Sequence, residues 1–242
     1  MIASRDSTSE TMLRALSTSL GALDAASELD IDRSDADRSF FLTEKTALQA
    51  LFDDVFASDQ SLTKHLLLST QGLQARVVVG DTVLDRGVRS AKARMKLELK
   101  TSTMPEGADH VFPSDISDIV DAERRVEPGL VLQVVARFPQ VPDFQGKEAL
   151  DADLTGRAKR QVDNFTNRDA GEVTEHAIDG RLTQSIVRGS DGLYRLEKRL
   201  LERFPRDKVY VRAFFLDVAP TKKKAAAAVE PAAAVAGTVT PT

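Results

Sequence analysis

The feature that most constrains this chain is a recurrence between Gln60 and Thr101. Apolar residues return there in a fixed order: Leu62 and Leu66, Leu73 and Val77, Leu84 and Val88, Met95 and Leu99. The gaps alternate four and seven, so the pattern repeats every eleven residues. A set of small residues, Ser69, Gly80, Ala91 and Ser102, keeps the same step. An α-helix turns roughly 100° per residue, so eleven residues land about 20° past three full turns. All three sets then share one stripe of one long helix. An eleven-residue period favours a straight or slightly right-handed packing seam. An ordinary amphipathic core stripe has nearly the same period. The small residues mark places where a neighbouring backbone comes close. Residues 76–80 read R-V-V-V-G, a run that prefers a strand or a break. The sequence therefore leaves open one helix or two meeting near Gly80.

The flanking sequence extends the helical reading. Leu13, Leu16, Leu20 and Leu23 step three, four and three along a first helix over 11–27. An acidic connector follows, and Ser34 is placed to cap a second helix running to about Phe56. Its wide apolar face carries Phe41, Leu48, Phe52 and Val55. Residues 57–61 read as a short link, which favours antiparallel neighbours. Pro105, Gly107 and Pro113 break the pattern, and Ser114 is placed to cap a helix over 115–126.

Leu130–Phe138 fits either a helix with Pro128 at its first turn or a strand. A second long helical region runs from Leu150 to Phe204. Gly171, Gly180, Gly189 and Gly192 weaken it, and residues 188–192 give its best turn signal. Val209–Val218 (V-Y-V-R-A-F-F-L-D-V) is the strongest strand candidate and would pair with Leu130–Phe138. From Pro220 onward only Ala, Pro, Val, Thr, a few polar residues and Lys222–Lys224 remain, a disordered tail by composition. The organisation expected is an N-terminal helix and connector over 1–33, a helical core over 34–219 and a tail over 220–242.

Few chemistries fit these residues. There is no cysteine, which removes thiolate catalysis, iron–sulfur clusters and Cys-based zinc sites. His65, His110 and His176 are scattered and none sits in a metal-binding helical motif. No phosphate-cradling glycine loop, dinucleotide fingerprint or nucleophile elbow occurs. Asp53, Asp54 and Asp59 have a spacing that can hold Mg²⁺ against a diphosphate. Such a site needs a second carboxylate motif, and only Asp115, Asp118 and Asp121, three residues apart, offer one.

A basic run comprises Arg86, Arg89, Lys92, Arg94, Lys96 and Lys100. It reads first as a solvated or salt-bridged face, with the acidic segment 115–121 folded beside it. Docking on an acidic protein surface, or on nucleic acid together with Lys222–Lys224, are the alternatives. A net charge of −4 and aromatics at 5%, with no Trp, argue against a nucleic-acid-coating protein. The first residues are polar, without the basic end and apolar run of a signal peptide. No window approaches a membrane span.

The sequence thus predicts a mainly α bundle of long antiparallel helices, with a minor two-stranded element. It predicts a cytoplasmic, non-catalytic structural or interaction protein without a cofactor, working through helix faces on protein partners or on itself. The stripe from Leu62 to Leu99 and the cations Arg86, Arg89, Arg94 and Lys96 are the candidate interaction residues. The alternatives are a nucleic-acid-associated protein and a Mg²⁺/diphosphate enzyme.

Overall fold

The structure is a computed structural model and describes residues 2–29, 34–113 and 115–215. Two helical rods dominate it. The first begins with α2 (Asp35–His65), passes through one π-helical turn (Leu66–Thr70) and continues as α3 (Gln71–Leu99). The second is α7 (Lys147–Arg203), an unbroken helix of 57 residues and so about 85 Å long. They run antiparallel, because partner numbers rise along one rod as they fall along the other. Arg203 meets Asp37 at 2.7 Å, Arg188 meets Asp54 at 2.9 Å, and Gln161 Nε2 donates to the Val77 carbonyl at 3.0 Å.

Shorter helices close this pair at its two ends. At one end α1 (Ser9–Leu29) packs on α2 and α7, and α8 (Lys208–Ala213) caps the end of α7. Met12, Leu16 and Leu23 are buried there with Phe41, Leu48, Leu193, Leu200 and Phe214. At the other end α4 (Gly107–Val111), α5 (Ser117–Val120) and α6 (Glu127–Val135) cover α3 and the first half of α7. Leu84, Val88, Ala91, Met95 and Leu99 are buried there with Phe112, Ile119, Val131, Phe138, Leu154 and Ala158. Between the two cores lies a waist built from α3, the π turn and the middle of α7.

Local chemistry accounts for several boundaries. The Ser34 hydroxyl accepts the Asp37 amide, so α2 starts at the cap expected for it. Pro128 occupies the first turn of α6, where its missing N–H costs nothing. Gly146 has φ +83°, a left-handed backbone at the N-cap of α7. The Arg94 guanidinium packs over it, leaving no room for a Cβ.

Other boundaries differ from the expectation. Residues 57–61 are not a link, since α2 runs through them to His65. The Ser114 cap falls outside the described residues, and 115–126 holds only the short α5. The tail from Pro220 and the end of the Val209–Val218 segment also fall outside them. Among the described residues there is no strand. Leu130–Phe138 lies in α6 and the turn after it, while Val209 to Ala213 belongs to α8. The two segments sit in opposite cores, so neither has a partner to complete a ladder. In α8 the Asp207 carboxylate accepts the Tyr210 amide and caps the helix. Tyr210 and Phe214, one turn apart, then meet edge to face at 5.2 Å.

The glycines of α7 do not end it. A Cβ at Gly192 would lie 2.2 Å from Leu51 Cδ1, and one at Gly171 would lie 2.6 Å from Leu73 Cδ1. At Gly189 it would lie 3.1 Å from Met12 Sδ. These positions let a neighbouring helix approach. The gain in packing offsets roughly 1 kcal/mol of helix propensity per glycine.

Candidate interaction surface

The eleven-residue stripe divides when it is laid on the structure. From Val77 to Leu99 its large members (Val77, Leu84, Val88, Met95, Leu99) and Ala91 are all buried. They pack inside the chain's own core, against α7 and the short helices. The rod is continuous at Gly80, with helical backbone through residues 76–80. The interruption falls earlier, at the π turn, which adds the equivalent of one residue to the helix. Leu62 is partly buried in the first core, Leu66 is exposed, and Leu73 is half-buried against Gly171. Two polar contacts with α7 flank the turn. His65 Nε2 lies 3.2 Å from the Gly171 carbonyl, and Thr70 Oγ1 donates to Glu175 at 2.8 Å.

The waist has two helices where the ends have more. As a result it leaves apolar side chains in water: Leu68 and Val173 are 69% exposed, Val79 61% and Leu67 57%. Leu67 and Leu68 are neighbours on the π turn, while Val79 and Val173 stand on α3 and α7, so both rods of the waist leave apolar side chains uncovered. Val79 and Val83 stand on the edge of a groove of about 450 Å³ between α3 and α7. Ala75 and Gly80 lie beside them, and Arg76, Arg157, Arg160, Gln161, Asp163 and Asn164 complete the lining. Its floor is fixed by polar contacts across the rods. Gln161, buried, donates to Val77 O, while Asn164 Nδ2 donates to Gln161 Oε1 at 3.1 Å and to Arg76 O at 3.3 Å. Gly80 is the reason Gln161 fits, since a Cβ there would lie 2.0 Å from its Oε1.

The cations near the groove differ in their partners. Arg157 is held by Asp153 at 2.8 Å and donates to Val83 O at 3.1 Å. Arg76, Arg160, Arg86 and Arg89 are exposed and have no acidic partner among the described residues. Further along the basic run the cations are engaged. Lys96 meets Asp109 at 3.0 Å, Lys92 meets it at 3.6 Å and donates to Pro113 O, and Arg94 donates to Gln145 O. The hydrogen bond from Lys96 holds the Asp109 carboxyl below its ordinary pKa. The partner of the basic run is thus Asp109 in α4, rather than the acidic segment 115–121 as a whole.

A different group marks where the second core meets the waist. Glu127, 1% exposed at the start of α6, faces Asp85 and Asp81 of α3. Arg124 Nε pairs with Asp81 Oδ2 at 3.0 Å. Apart from the proton on the carboxyls themselves, no donor among the described residues reaches Glu127 Oε1 or Asp85 Oδ1. Burial first, then the neighbouring Asp85 and Asp81, push Glu127 up to about 9, so it holds a proton at neutral pH.

Of the three aspartates with diphosphate-type spacing, two are engaged by different partners and Asp59 has no polar side-chain partner among the described residues. Asp54 pairs with Arg188, and Asp53 accepts from Gln49. Among the described residues no group of three His, Asp or Glu side chains is arranged to hold a metal ion, and no helix is long and apolar enough to cross a membrane. Compared with known proteins, the chain matches no family model, no curated protein and no solved structure.

Sequence reasoning did not find the groove. Arg157 and Arg160 lie some eighty positions from Val79 in the chain, and only the antiparallel register brings them together. Glu127 carried no signal either, because a glutamate before Pro-Gly reads as an exposed turn residue.

Proposed function

We propose that this protein is a non-catalytic structural or interaction protein, a cytoplasmic component of a larger assembly that works through helix faces. The single observation that carries this reading is the waist. Two closed cores hold a pair of rods rigidly spaced, and the stretch between them leaves Leu67, Leu68, Val79 and Val173 in water. Leaving these side chains uncovered gives up burial worth roughly 25 cal/mol per Å² of apolar area. Coverage by another surface recovers it. The two cores supply the rigidity that keeps the entropic cost of that coverage low.

The test is the native mass of the protein in a lysate of its own source. Wild type should sediment well above the mass of one chain. The triple replacement of Leu67, Leu68 and Val173 by serine should shift it toward the single-chain value with an unchanged melting temperature. Identical sedimentation of the two proteins at the single-chain mass would sink the reading.

A further inference from the structure

We propose that the groove between α3 and α7 is a docking site for an acidic amphipathic helix of a partner protein. The inference rests on the interaction role above and adds the chemistry of the partner. The groove has two components. Ala75, Val79 and Val83 give it an aliphatic edge along α3, and Arg76 and Arg160 on opposite rods outnumber the one acidic residue of the lining, Asp163. Neither arginine has an acidic partner among the described residues, whereas Arg157 beside them in the groove is held by Asp153. Arg86 rises one turn beyond Val83 on the same rod and also has no acidic partner among the described residues.

The chain as a whole carries a net charge of −4, so this local surplus of positive charge is a feature of the face. A face of this kind selects a helix that places aliphatic residues on that edge and carboxylates toward the arginines, the helix-in-groove mode. Arginine forks take carboxylates in bidentate geometry. At each end of the molecule shorter helices already close the rod pair, and at the waist none of the described residues does. An added helix would rest on two rods whose spacing is fixed, so little ordering is lost on docking.

The charge also discriminates among occupants. The chain's own C-terminal segment brings Lys222, Lys223 and Lys224 and is poorly matched to arginines. A second copy docked through this same face would set Arg76 and Arg160 against the same two arginines of its partner. Nucleic acid would satisfy the arginines but leave Val79 and Val83 without an apolar partner.

The experiment titrates the full-length protein with a synthetic helical peptide that carries leucine on one face and glutamate on both flanks. The parallel probes are the same peptide with glutamine for glutamate, and a short DNA duplex. Saturable binding of the acidic peptide that weakens with salt is expected. Val79→Glu and the pair Arg76→Glu/Arg160→Glu should each weaken it about tenfold or more. All three positions are exposed, so the melting temperature should stay at the wild-type value and a folding defect is separable.

Absence of acidic-peptide binding overturns the proposal, as does equal binding of the glutamine peptide. Tighter binding of the duplex, lost in the arginine pair, reassigns the face to a polyanion and also overturns it. Concentration-dependent self-association lost in Val79→Glu identifies a second copy as the occupant instead. None of these outcomes touches the broader interaction reading, which fails if wild type and the triple serine variant both sediment at the single-chain mass.

Discussion

The upper half of α3 and the waist below it are made of the same helix with the same periodicity, yet they have opposite fates. From Leu84 to Leu99 every large residue of the stripe is buried beneath α4, α5, α6 and α7. From Leu66 to Val83 only Val77 is fully buried, and Leu67, Leu68 and Val79 are among the most exposed apolar residues of the chain. The sequence does not differ in kind between the halves. What differs is the number of neighbours. A helix packed on one partner buries a narrow strip, and one packed on several buries a wide face. Periodicity thus states which residues point together, and the surrounding elements state how much of that face is covered.

The largest effect that would break this comparison is a large-to-small change at matched leucines. Leu84→Ala should cost about 2–5 kcal/mol of unfolding free energy, through lost burial and a cavity. Leu68→Ala in the waist should cost no more than about 0.5 kcal/mol. Urea unfolding of the two variants checks this, and equal losses would show that the waist is as tightly packed as the second core.

Overpacking gives the next largest effect. Ala91 is fully buried on the stripe, and Ala93, two residues on, is exposed. Ala91→Leu should cost about 1–3 kcal/mol, while Ala93→Leu should melt with the wild type. If both melt alike, the stripe does not face a packed neighbour.

The boundary between the two regions can be probed by pH. Glu127 has an ordinary value of 4.5 and is raised to about 9 in the fold. Between these values the unfolded chain has lost the proton and the folded chain keeps it. Stability therefore falls as pH rises through this window and levels off above it. The carboxylates held low, such as Asp37 and Asp109, titrate below the window and do not mask the slope. Glu127→Gln should abolish this contribution and stabilise the protein at pH 8. A urea midpoint that does not move between pH 5 and pH 8 in the wild type would show that Glu127 ionises freely.

The smallest effect separates two glycines. A Cβ at Gly180 meets nothing within 4 Å, so Gly180→Ala should stabilise α7 by up to about 1 kcal/mol. At Gly80 the added methyl displaces Gln161 and its hydrogen bond to Val77 O. That loss, of about 1 kcal/mol, should offset the same propensity gain. Equal stabilisation by both changes would mean that the Gln161 contact is not held tightly.

By itself the sequence determined the mainly helical character of the chain, the phase of its buried stripe, the cap at Ser34 and the absence of familiar catalytic motifs, while it left the segment after Pro128 open between helix and strand. These are local properties, set by spacing and by side chains acting on their own backbone. It read the glycines of α7 as weak points, with a turn at 188–192, and Val209–Val218 as a strand, because propensity counts the residue and not its neighbour. Tertiary structure decided both. Leu51, Leu73 and Met12 need the room that Gly192, Gly171 and Gly189 leave, and opposite cores hold the two segments that would have paired. The π turn in L-L-L-S-T was equally silent, since neither Gly nor Pro marks it. The groove, the meeting of Arg76 and Arg160 across it, and the raised Glu127 arise only from how the helices pack. That packing joins residues far apart in the chain, and no local pattern encodes a distance between them.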